Sequence, residues 1–131
     1  MSDVPDYDVQ PRPRVAEDAI SAHDLVIEDL QREFPRDTAA ELAAEFILSR
    51  KQYGLEKYGT VLHSDNGRDY IKDILDEAGD LVSYLRVFLS RHPELVGTFG
   101  EFYRSTLVFV TQFVVAEPAL RDLDALKESG S

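Results

Sequence analysis

Carboxylates crowd one short stretch of the chain. Asp69, Asp73, Asp76, Glu77 and Asp80 stand at spacings that, on an α-helix, fall within an arc of about 100°. Asp69/Asp73, Asp73/Glu77 and Asp76/Asp80 are i,i+4 neighbours, and like charges at that spacing repel. Arg68, Lys72 and Arg86 flank this stripe and do not alternate with it. Such a face either looks onto open water or gathers its acids around a cation. Mg²⁺ is the cation that suits it, because that ion takes oxygen ligands from a few carboxylates and completes its shell with water and phosphate oxygens. Glu77-x-x-Asp80 puts two carboxylates one turn apart, and Asp73 and Asp76 extend the cluster. Glu41 and Glu45, an i,i+4 pair on an earlier helix, could supply further ligands, as metal sites in helical bundles draw on more than one helix. On spacing alone, a solvated acidic face is the commoner outcome.

A second group is cationic and aromatic. The segment SRKQYGLEKYGT (49–60) places Arg50, Lys51 and Lys57 beside Tyr53 and Tyr58. With Arg68 they could meet nucleotide phosphates while a tyrosine ring stacks on the base. The plainer reading is a set of surface cations that balance the acidic helix, with the Tyr bodies packed inward. No glycine-rich phosphate loop is present, and His23, His63 and His92 have no metal-ligand spacing to one another.

The elements that must position these residues read as helices. From Asn66 on, a turn signal, Asp65-Asn66-Gly67, precedes a helix whose apolar face is Ile71, Ile74, Leu75, Ala78, Leu81, Val82, Leu85 and Leu89. It runs to about Arg91, where His92-Pro93 stops it. Before it, a helical stripe spans Val15 to Phe34. A second helix, capped by Asp37 or Thr38, runs from Thr38 to Tyr53 or Tyr58, where Gly54 and Gly59 offer ends. After it, Glu94 to Val115 is apolar over a wide surface. LVFVTQFVV is β-branched enough for a strand, but no second strand exists for it to pair with, so helix is preferred. Glu117-Pro118 then starts a short last helix to about Lys127.

The expectation is an all-α bundle of about four to five helices. Residues 1–14 form a flexible arm and 15–128 a single domain, with its core in 37–92. The apolar helices of 94–127 are an oligomerisation element, since their surface exceeds what one small bundle needs. A net charge of −11 argues against nucleic-acid and anionic-membrane partners. Cysteine is absent, so there is no disulfide framework, thiolate metal site or cysteine nucleophile, which fits a cytoplasmic setting. No signal-peptide pattern opens the chain, and no apolar run reaches the ~18–20 residues of a membrane span.

Taken together, Lys57-Tyr58-Gly59-Thr60, Asn66-Gly67-Arg68-Asp69 and Asp73-x-x-Asp76-Glu77-x-x-Asp80, with HDLVIEDL at 23–30, resemble the MazG-like all-α nucleoside triphosphate pyrophosphohydrolases. The likeness is to the small bacteriophage-type members and covers roughly residues 23–91. It implies a helical bundle, dimeric or tetrameric, that cleaves (d)NTP to (d)NMP and pyrophosphate at Mg²⁺, with Mn²⁺ as the alternative ion. It places Glu77 and Asp80 on the family's Glu-x-x-Asp metal motif. On that expectation Glu77, Asp80 and Asp73 would bind metal, with Glu45, Glu41 or Asp76 completing the shell. Glu77, Asp80 and Glu45 would serve catalysis, and Arg50, Lys57, Tyr58 and Arg68 would hold substrate. One departure counts against it. The family carries a Glu-Glu-x-x-Glu motif on the preceding helix, where this chain has Glu41 and Glu45 alone and then Arg50-Lys51. Either those glutamates serve, or Asp73 and Asp76 replace them, or the site has decayed. The competing class is a non-catalytic helical oligomer that binds a nucleotide or a protein partner.

Overall fold

The computed structural model describes residues 10–16 and 18–130, and within these the protein is all-helical. Four α-helices follow in order: α1 Ala22–Glu33, α2 Thr38–Tyr58, α3 Tyr70–Arg91 and α4 Val96–Ser129, with one 3₁₀ turn at Pro93–Leu95. They fall into two compact units, divided between Arg68 and Asp69.

In the first unit α1 and α2 form a hairpin. Ser21 begins α1 by accepting a hydrogen bond from the Asp24 amide, and Asp37 begins α2 by accepting from Ala40. Gly59, at φ 73°, closes α2 in the left-handed conformation that favours glycine. The helical stripe expected from Val15 does not form before Ser21. Residues 10–16 instead have no regular secondary structure, and the Arg14 amide donates to the Asn66 carbonyl at 2.8 Å while its guanidinium pairs with Asp65 at 3.1 Å. Of the N-terminal arm, residues 1–9 lie outside the described residues. Gly67 (φ 78°) lets the loop pass Arg14: a Cβ there would stand 3.1 Å from the guanidinium as well as in a strained backbone.

In the second unit α3 and α4 pack as an antiparallel pair. The start of α3 meets the far part of α4, where Tyr70 donates to Asp124 and Arg121 pairs with Asp69 at 3.1 Å. The end of α3 meets the near part of α4, where Phe88 and Phe99 pack edge to face with centroids 5.5 Å apart. Asp69 caps α3, and His92 ends it just before Pro93. Pro118 does not start a new helix. It lies inside α4, which continues through it to Ser129, so the expected short last helix is part of one 34-residue element. A proline leaves one helix carbonyl without its donor. No helix among the described residues is long and apolar enough to cross a membrane.

Candidate functional site

The acidic stripe of α3 divides by use. Asp69 is a structural cap: its carboxylate accepts from the Lys72 amide at 3.0 Å and pairs with Arg121. Partial burial disfavours its charged form, but the hydrogen bonds from Lys72 and Arg121, and the Arg121 charge, outweigh that and hold its pKa below the ordinary aspartate value. Asp76 is tied one turn back to Lys72 as an i,i+4 ion pair. Asp73 is half-buried and also engaged. Glu77 and Asp80 differ: both are exposed, and neither side chain has a hydrogen bond or ion pair among the described residues. The motif's two carboxylates are thus the ones on α3 left open to a ligand, one helical turn apart.

Glu41 and Glu45 lie exposed on the first half of α2, likewise without a described partner. Glu41 lines an open groove of about 420 Å³ at the α1–α2 turn, with Phe34, Arg36 and Asp37. Among the described residues no three His, Asp or Glu side chains converge as a ready metal cage. Mg²⁺ does not require one: it is commonly held by one or two carboxylates plus substrate phosphates and water. The chemistry of Glu77 and Asp80 fits that mode.

The cationic segment does come together, along the last turns of α2. The Arg50 guanidinium lies over the Tyr53 ring at 4.5 Å, and the Lys57 ammonium stands 5.8 Å from the Tyr53 ring centroid and 5.2 Å from that of Tyr58. These are cation–π distances. The Tyr58 phenol, then that of Tyr53, raises the Lys57 pKa above its ordinary value, so this ammonium keeps its charge. Lys51 is spent elsewhere, on both oxygens of Asp24 at 3.0 Å. Arg68 donates to the Pro11 carbonyl at 3.3 Å. The exposed Arg50 and Lys57 and the half-buried Tyr58 therefore share one cluster, while Arg68 serves the loop.

Sequence reasoning missed the role of His63. It is buried, its Nε2 pairs with the Arg14 carbonyl at 2.8 Å, and its Nδ1 accepts from the Asp65 amide at 3.3 Å. Nothing in local spacing points to a partner 49 positions away. His23 lies beside Arg50 and Lys51. Burial, outweighing the opposing pull of Asp24, lowers its pKa, and those two cations add to the effect. Its Nδ1 is buried without a hydrogen-bond partner.

No protein-family model matches the chain, and no curated protein or solved structure matches it either.

Proposed function

We propose that the protein is a Mg²⁺-dependent nucleotide pyrophosphohydrolase, acting on (d)NTPs to release pyrophosphate. The observation that carries the reading is the state of Glu77 and Asp80, a carboxylate pair one turn apart on α3, exposed and without a described partner while Asp69 and Asp76 are both engaged. A divalent ion bound by such a pair would neutralise triphosphate charge and lower the pKa of a coordinated water. The other roles fall to the chain's own side chains. On the first unit, Arg50 and Lys57 are cations of the kind that meet phosphate oxygens. The Tyr53 and Tyr58 rings beside them are of the kind that stack on a base. Asp73 and Asp76, on α3 itself, are the further ligands the reading allows.

A second reading has an observation of its own. Ile71 and Leu89 are the buried hydrophobic residues of the described chain, whereas Phe46, Tyr84, Val115 and Leu126 are each more than 60% exposed. Large apolar surface of this kind is what an assembling protein leaves for partners. On this reading the chain is a homo-oligomer, and a nucleotide is bound without being cleaved.

Pyrophosphate release from a panel of NTPs and dNTPs, with Mg²⁺, Mn²⁺ or EDTA, separates the two. Metal-dependent release is expected and would give the base preference directly. Nucleotide binding without release under any metal would leave the second reading standing.

A further inference from the structure

The outward side of α4 carries a pattern that the α3–α4 pairing leaves unused. Arg104, Val108, Thr111, Val115, Pro118 and Asp122 are spaced 4, 3, 4, 3, 4, and every one of them is exposed. That is the spacing of a seam between two helices, with positions recurring every 3.5 residues on average. The side of α4 toward α3 is occupied by other residues, Phe99 among them.

Charge decides what fits the seam. From Ser105 to Ala116 the helix has no charged residue, although the chain as a whole carries −11. Arg104 bounds this neutral stretch on one side, and Asp122 closes the seam on the other. They stand five helical turns apart, which returns them to the same side of the helix, about 27 Å from each other. Neither has a described ion-pair partner; both are exposed. A parallel copy would set Arg104 against Arg104 and Asp122 against Asp122. An antiparallel copy turned about position 113 sets Arg104 against Asp122 twice, Val108 against Pro118 twice, and Thr111 against Val115 twice.

The geometry points to a second copy of this chain as the occupant: α4 pairs antiparallel with α4 of an identical protomer about a two-fold axis near residue 113. Such an interface is self-complementary, as two-fold dimers require. It brings two strongly acidic chains together where neither presents net charge, and the end pairs fix direction and register. The inference rests on the assembly part of the second reading above and is independent of any nucleotide chemistry.

Sedimentation of the full chain over a range of concentrations tests it, with the variants R104D, D122R and the double exchange R104D/D122R. The wild type should dimerise. Each single variant should weaken the dimer roughly tenfold or more, because it places like charges together at two points. The double exchange should restore association, and an equimolar mixture of the two single variants should form heterodimers. Far-UV circular dichroism confirms that these exposed substitutions leave the helices intact. A wild type that stays monomeric at high concentration would overturn self-association altogether. A dimer indifferent to all three variants would place the interface elsewhere. Either failure leaves the pyrophosphate assay unaffected, so the two proposals fail separately.

Discussion

The two units are held together by opposite means. Every buried polar residue of the described chain lies in the first unit: Ser21, Thr60, His63 and Asn66. Both buried hydrophobic residues, Ile71 and Leu89, lie in the second. The first hairpin is therefore organised by directional contacts. Ser21 caps α1, Asn66 receives the amides of Arg14 and Arg68, His63 grips the Arg14 carbonyl, and Lys51 bridges to Asp24. The second hairpin relies on apolar packing along α3 and α4, trimmed by polar ties at the start of α3. The candidate chemistry divides along the same line, with cations and rings on α2 and open carboxylates on α3. Directional contacts fix a non-helical segment that could not bury enough surface to fix itself. Apolar packing holds two long helices while leaving their outer faces free for other use.

Removing the open carboxylates gives the largest expected effect. Glu77→Ala and Asp80→Ala should bring metal-dependent pyrophosphate release to background without lowering Tm, since neither side chain supports the fold. Full activity in either variant would strip α3 of its assigned role. Lys57→Ala or Arg50→Ala should act more mildly, costing on the order of tenfold to a hundredfold in kcat/KM if the cluster meets phosphate.

The difference in cohesion is the next effect in size. Phe88→Ala opens a gap against Phe99 and should destabilise by about 2 kcal/mol, below the range for a fully buried Phe. Lys51→Ala breaks a partly exposed ion pair, worth no more than about 1 kcal/mol and weaker in high salt. Denaturant unfolding of both variants, with and without added NaCl, measures the contrast. A Lys51 variant as damaging as Phe88→Ala would show that the polar unit hides an apolar dependence.

Acid sensitivity is the smallest effect. The pKa of Asp69 is lower in the folded chain than in the unfolded one. Its charge therefore stabilises fully above the ordinary aspartate range, near pH 4, and that contribution is lost as pH falls through the folded value. Asp69→Asn keeps a capping oxygen and removes the charge. The Tm gap between wild type and this variant should be widest at neutral pH and close below about pH 4. A constant gap would assign the whole effect to geometry.

Much of the fold could be read beforehand because its punctuation is local. Asp37 before α2, Gly59 after it and His92-Pro93 behind α3 all act within a turn of their own position. The helical class, the extent of α2 and α3 and the grouping of Arg50, Lys57 and Tyr58 followed from such signals. What could not be read depends on distant partners. The stripe from Val15 looks helical, yet Arg14 is drawn to Asn66 and Asp65, and the helix waits for Ser21. Pro118 looks like a boundary, yet packing against α3 carries α4 through it. The stripe of acids looked uniform, because spacing alone could not tell Asp69, claimed by Arg121, from Asp80, claimed by nothing described.

Pro118 has a dynamic consequence as well. It offers no amide proton, so the ladder of α4 is interrupted there, with 22 residues before it and 11 after. Beyond the break the tail is held to α3 through the Asp69–Arg121 and Tyr70–Asp124 contacts. In hydrogen-exchange terms α4 should open as two cooperative segments rather than one. The stretch up to Ala116 would stay protected while amides from Ala119 onward exchange on a faster clock, and the turn at which those rates part would locate the proline from solution data alone.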